Sequence, residues 1–143
     1  MNIKEIYEEV FLASSLKMKP EVKLVFDKEL PSIRLKTDPQ RVMQVISNFV
    51  NNAIKFTEKG SITISYKREG NYLRVNVQDT GIGISEDDRK RIFERFIKIN
   101  EFKQGTGLGL TISRTIIESL NGTIGVDSVK GSGSTFWFTL PLE

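Results

Sequence analysis

The sequence contains no cysteine and no histidine. The first absence excludes disulfides and thiolate metal sites. The second excludes imidazole acid–base catalysis and imidazole metal ligation anywhere in these 143 residues. Long apolar runs are missing too: no stretch approaches the ~20 residues needed to cross a bilayer. The opening Met1-Asn2-Ile3-Lys4-Glu5-Ile6 lacks the apolar segment of a secretory signal. Charge of one sign is also scarce. Basic residues number 21 against 18 acidic ones, a net charge of +3 spread evenly along the chain. That balance argues against nucleic acid as the main partner. What remains is 38% apolar and 27% charged residues, the proportions of one soluble globular domain, and a cytoplasmic setting fits every absence.

Periodicity outlines the elements. Ile3, Ile6, Tyr7, Val10 and Phe11 recur at helical spacing. Val22, Leu24 and Phe26 alternate with polar neighbours as a half-buried strand does, and Ser32 to Lys36 reads as a second short strand after Pro31. Asp38-Pro39 is a strong helix start, with Asp capping free amides and Pro suited to the first helical position. That helix runs to about Phe56, and Val42, Val45, Ile46, Phe49 and Ala53 form its buried stripe. Ile62, Ile64 and Tyr66, the Glu69-Gly70-Asn71 turn, then Leu73, Val75 and Val77 predict a hairpin. Two glycine-rich loops follow, at 79–85 and 104–109. Between them come a short helical piece with Ser85 and Asp88 at capping positions and an irregular polar stretch from Lys98 to Gln104. A helix over about 107–120 ends at Asn121-Gly122, and strands over Thr123–Ser128 and Ser134–Leu140 close the chain around Gly131-Ser132-Gly133. The hairpins imply an α+β domain, a largely antiparallel sheet covered by helices on one face.

Three motifs carry chemistry. On the Asp38-capped helix, Gln44, Asn48, Asn52 and Lys55 share one face at spacings of four, four and three, along the edge of the apolar stripe. Two amides and an ammonium there suit Mg²⁺ and phosphates, since amide oxygens are hard ligands. A solvated helix face accounts for them equally well. Asp79-Thr80-Gly81-Ile82-Gly83-Ile84 leaves a strand, and its aspartate can accept a hydrogen bond from an adenine amino group. Taken alone it reads better as a capped turn. Gly105-Thr106-Gly107-Leu108-Gly109-Leu110 leads into a helix whose free amides and dipole favour an anion. It departs from the dinucleotide fingerprint, because a polar segment rather than a strand precedes it, and it lacks the lysine of a P-loop.

In their order and spacing these motifs resemble the catalytic domain of sensor histidine kinases, a branch of the superfamily that includes DNA gyrase and the mismatch-repair ATPases. Asp38 to Val42 and Asn48 to Thr57 look like the N box, and Asp79 to Ile84 like the first glycine box. Ile92-Phe93-Glu94-Arg95-Phe96 looks like the F box, and Gly105 to Leu110 like the second glycine box. Gly131 to Phe136 with Leu140-Pro141 looks like the closing strand. The resemblance covers roughly residues 20–143 and implies a two-layer α/β sandwich of the Bergerat type. Residues 1–19 are then a linker helix toward a dimerisation domain. It further implies that the cofactors are ATP (or ADP) and Mg²⁺. Asn52 with Asn48 holds the metal, and Lys55 reaches the phosphates. Asp79 binds adenine with support from Thr135, and Gly81 and Gly83, with Ile84, make room for the base. The segment Gly105, Thr106, Gly107, Leu108, Gly109 and Leu110 shapes the phosphate end. A lid over about 95–104, anchored by Phe93 and Phe96, closes over the nucleotide, with Arg95, Lys98 or Lys103 near phosphate.

The resemblance also separates kinase from hydrolase. In the gyrase-like ATPases a glutamate one turn before the metal-binding asparagine activates water. Here that position is Asn48, a poor base. The family's phosphoacceptor is a histidine on a helical hairpin, and this chain has none. The expectation is therefore an ATP-binding kinase module whose acceptor and response regulator lie elsewhere, with Met1 read as a start residue added to a piece of a longer protein. Such a piece is expected to be a monomer without contact to membrane or nucleic acid, although its parent can be membrane-anchored. A gyrase-like ATPase module and a nucleotide-binding scaffold are the alternatives. Two positions depart from the family's habit. Asn121-Gly122 stands where His-Gly or Gly-Gly is common, and Phe56 stands where tyrosine is common.

Overall fold

The computed structural model describes residues 2–25, 30–87 and 106–142, and the side chains of 106–109 lie outside that description. Its elements are α1 (Ile3–Ser15), β1 (Val22–Val25), α2 (Pro39–Phe56), β2 (Gly60–Glu69), β3 (Tyr72–Asp79), α3 (Thr106–Ser119), β4 (Thr123–Val129) and β5 (Gly133–Pro141). The strands form one sheet in the order β1-β2-β3-β5-β4. The β2–β3, β3–β5 and β4–β5 pairs are antiparallel, as the hairpins imply. The β1–β2 pair is parallel, with α2 in the crossover between them.

Residue alternation decides which face of the sheet is covered. Ile62, Ile64, Tyr66, Leu73, Val75, Val77, Val126, Phe136, Phe138 and Leu140 are buried, and their neighbours along each strand are less so. The helices pack on that side. Phe49 of α2 lies 5.3 Å from Phe136 and 6.0 Å from Phe138, ring centre to ring centre. The opposite face carries polar side chains and Trp137, which sits under the Arg74 guanidinium at 4.6 Å. The result is a two-layer α/β sandwich with one open sheet face.

Helix α2 starts as its sequence dictates. The Asp38 side chain accepts the Gln40 N–H at 2.9 Å, and Pro39 occupies the first turn. Helix α3 ends through Asn121, which takes the left-handed conformation at φ 65°. Gly122 serves a different need, because a Cβ there would lie 2.1 Å from the Thr139 carbonyl oxygen.

Two expectations are altered. The segment 32–36 is no strand: its alternation is real, with Ile33 and Leu35 buried, but Arg34 forms only an isolated bridge with Asn2. With the start of α1 as its neighbour, it finds no strand to extend a ladder. Helix α1 itself belongs to the core. Ile3, Ile6, Tyr7 and Val10 are buried, Tyr7 meets Tyr66 edge to face at 5.6 Å, and the Ile3 N–H donates to the Ile33 carbonyl. Leu12 and Leu16, near its C-terminal end, remain exposed.

Candidate functional site

The four polar residues of α2 differ in setting. Gln44 and Lys55 are exposed, Asn48 is half-buried, and Asn52 is buried at 4% exposure. Asn48 is held from the side: its amide nitrogen donates to the Ser113 hydroxyl of α3 at 3.1 Å.

Asp79 ends β3 on the helix-covered face and is 3% exposed. Its carboxylate accepts the Gly81 N–H at 2.9 Å and also the backbone N–H of Ser134. Burial raises its pKa above the ordinary 3.8, and those two donors offset part of the rise. The register pairs Asp79 with Ser134 and Gln78 with Thr135. Inward positions on β5 are Ser134, Phe136, Phe138 and Leu140. Thr135 therefore lies on the other face, and Ser134 is the residue that supports the Asp79 carboxylate.

The first glycine loop is fixed from two directions. The Ile82 N–H donates to the Phe56 carbonyl at the end of α2, and the Gly131 N–H donates to the Ile82 carbonyl. Ser128 of β4 completes the hold, accepting the Ile84 N–H at 2.7 Å and lying 2.7 Å from the Ser134 hydroxyl. The glycines answer to these close approaches. A Cβ on Gly81 would lie 2.2 Å from the Phe56 carbonyl oxygen, and one on Gly83, at φ 72°, 2.1 Å from the Val129 carbonyl oxygen. Thr57 is fully buried beside Gly81, and its hydroxyl has no partner among the described residues. Ile84 and Leu110 are both buried.

Helix α2 is thereby tied at its C-terminal end to the first glycine loop and along its flank to α3, the helix that begins at Thr106 in the second glycine box. Asn48 and Asn52 lie on α2, and Asp79 ends the strand that leads into the tied loop. The backbone of Thr106 to Leu110 is helical, while Gly105, the F-box residues Phe93 and Phe96, and the charges Arg95, Lys98 and Lys103 lie outside the described residues. A cavity of about 210 Å³ opens nearby, lined by Gln78, Asp79, Asp127, Ser132, Gly133 and Thr135 among others. Gln78, Asp127 and Thr135 line it from the open sheet face, and Asp79, Ser128 and Ser134 from the inward side. Among the described residues no three Asp, Glu, His or Cys gather to hold a metal. A cation at α2 would depend on amide oxygens, water and phosphate, a donor set that suits Mg²⁺. No helix among the described residues is long and apolar enough to cross a membrane.

Sequence reasoning missed three residues of this site: Ser113, Ser128 and Ser134. The first two bond across 65 and 44 positions, and no local signal marks them. Ser134 was reachable by counting alternate residues back from Phe136.

The comparisons with known proteins agree with this geometry. The family of histidine kinase-, DNA gyrase B- and HSP90-like ATPases matches residues 37–143. The sensor protein GacS of Pseudomonas syringae pv. syringae is 44% identical over 77% of this chain, and the sensor histidine kinase RcsC of Escherichia coli K12 is 43% identical over 77%. The aligned parts are 13% and 12% of those two proteins, so the chain spans about an eighth of their length. Among solved structures, the catalytic domain of histidine kinase ThkA superposes with a TM-score of 0.87 at 33% identity, covering 99% of this chain and 93% of that one. Full-length ShkA in complex with AMPPNP gives 0.88 at 31% identity, covering 99% of this chain and 30% of that one. The chain belongs to the histidine kinase-, DNA gyrase B- and HSP90-like ATPase family, on its sensor histidine kinase branch.

Proposed function

We propose that this chain binds ATP with Mg²⁺ and presents the γ-phosphoryl group to a histidine on a separate helical domain, as the catalytic module of a two-component sensor kinase. The observation that carries this reading is the docking of α2 between the two glycine boxes. A buried amide on that helix, Asn52, and a buried carboxylate at the end of β3, Asp79, support it.

Each residue then has a task. Asp79 accepts a hydrogen bond from the adenine amino group, held in position by the N–H groups of Gly81 and Ser134. Asn52 and Asn48 hold the cation against the phosphates, and exposed Lys55 adds a mobile positive charge. The start of α3 offers free amides and the positive end of its dipole to the phosphate tail. Bound Mg²⁺ supplies charge neutralisation on the phosphate oxygens. In the transfer the bond from the γ-phosphorus to the β–γ bridging oxygen breaks. ADP leaves with that electron pair, the unprotonated nitrogen of the acceptor imidazole forms the new bond with its lone pair, and the proton on the other ring nitrogen is released to solvent. The chain's own part is positioning and electrostatics.

Asn48 lies where a water-activating glutamate would be needed, and an amide cannot take a proton at neutral pH. Transfer to a protein side chain therefore fits this site better than hydrolysis. The acceptor histidine is contributed from outside this sequence, which contains none. By itself the chain binds ATP without phosphorylating itself on histidine, as a monomer, and the response regulator engages the parent protein.

Phosphorus NMR of ATP and Mg²⁺ with excess protein, followed over hours, tests the reading. Shifted or broadened ATP signals with almost no free phosphate are expected. Rapid phosphate release would move the chain to the hydrolase branch, and unperturbed ATP signals would leave it a scaffold.

A further inference from the structure

Ser113 sits within α3 and is completely buried. Serine is a mediocre helix former, and packing alone would favour alanine at such a position. Its hydroxyl is used across the helix interface, where it accepts the Asn48 amide N–H at 3.1 Å. A side-chain amide can sit either way round, and only its neighbours decide which end points where. The bond engages the amide nitrogen, so the amide oxygen of Asn48 is not the atom that meets the serine.

We propose that Ser113 is a positioning residue for magnesium-dependent nucleotide binding. It locks the Asn48 amide so that oxygen, and not nitrogen, is offered to the cation and phosphates. The inference rests on the reading that Asn48 and Asn52 hold the metal. It adds a link that the α2 motif alone does not contain, because Ser113 belongs to the helix launched from the second glycine box.

The test is calorimetric titration of ATP, in Mg²⁺ and in EDTA, into the wild type, Ser113→Ala, Asn48→Ala and the double variant. Loss of one neutral hydrogen bond predicts that Ser113→Ala weakens Mg-ATP binding by about 2- to 12-fold. It also raises the Mg²⁺ concentration for half-maximal binding while leaving ATP affinity in EDTA unchanged. In the Asn48→Ala background the serine change should add nothing. Ser113→Thr keeps the hydroxyl and should restore the magnesium response where its melting curve shows a folded protein. Equal losses in Mg²⁺ and EDTA, or additive losses in the double variant, would reduce Ser113 to a packing role and overturn the proposal. A wild-type magnesium response that Ser113→Ala leaves intact overturns this proposal alone. Magnesium-independent binding by the wild type overturns the metal assignment and this proposal with it.

Discussion

Asp79→Ala probes the adenine end of the proposed site most directly. The carboxylate is buried and already accepts two backbone N–H groups, which fixes its direction and leaves lone pairs for a ligand. A hydrogen bond from a neutral amino group to such a charged acceptor contributes about 1.5–3 kcal/mol, so ATP affinity should fall roughly 10- to 150-fold. The substitution also strands the Gly81 and Ser134 donors, at about 1–3 kcal/mol each where water cannot reach them. Titrations must therefore run well below the melting temperature of the variant, with a melting curve recorded beside them. Selectivity separates recognition from damage. Guanine carries a carbonyl where adenine carries the amino group, so GTP has no bond to lose at Asp79. The ratio of ATP to GTP affinity should collapse by the full factor while GTP affinity changes little. Unchanged ATP affinity, or equal losses for both nucleotides, would refute the assignment.

The other expectations concern metal, fold and pH. Asn52→Ala should remove the Mg²⁺ dependence of ATP binding, measured by titration with and without EDTA, and a surviving dependence would put the metal elsewhere. Ile6→Ala should cost about 2–5 kcal/mol of unfolding free energy in a urea melt, because α1 packs into the core. Gly83→Ala should cost about 1–3 kcal/mol for the left-handed backbone, and more for the collision with the Val129 carbonyl, read from the shift of the denaturation midpoint. For pH, the folded-state pKa of Asp79 is raised, so the folded chain keeps that proton to higher pH than the unfolded chain does. Its contribution to stability is therefore complete below about 3.8 and is lost as pH rises through the folded value. Urea melts at several pH values should show Asp79→Asn gaining on the wild type as pH rises above about 3.8, and a constant difference would contradict the burial argument.

The parts of the fold legible in the sequence were those specified locally. The cap of α2, the β2–β3 hairpin and the ends of α3 each follow from a few adjacent residues, such as Asp38-Pro39, Glu69-Gly70-Asn71 and Asn121-Gly122. The alternation at Ile33 and Leu35 was equally clear, yet it produced no strand, because a ladder needs a partner edge and none was beside it. The parallel β1–β2 pair escaped notice for a related reason: its partners lie on either side of α2, and no turn residue announces the crossover. The amphipathic pattern of α1 showed that it buries a face but not against what. Tyr66 and Ile33, which meet it, are far along the chain.

At the site the division follows the same physics. Asn52, Asp79 and the glycines stand out because each is an unusual choice for its local setting: an amide bordering an apolar stripe, a carboxylate at the end of an apolar strand, small residues in a loop. The serines do not stand out, since serine is ordinary on any surface and becomes informative only when found buried. Ser134 is the exception that parity could have caught. In β5 the inward residues alternate back from Leu140 through Phe138 and Phe136 to Ser134, and the β3 register sets that serine opposite Asp79. Thr135, the more conspicuous hydroxyl, faces the open side. A one-residue difference in a strand is a change of face, so a functional role carried onto a strand by motif alone needs this count before it is assigned.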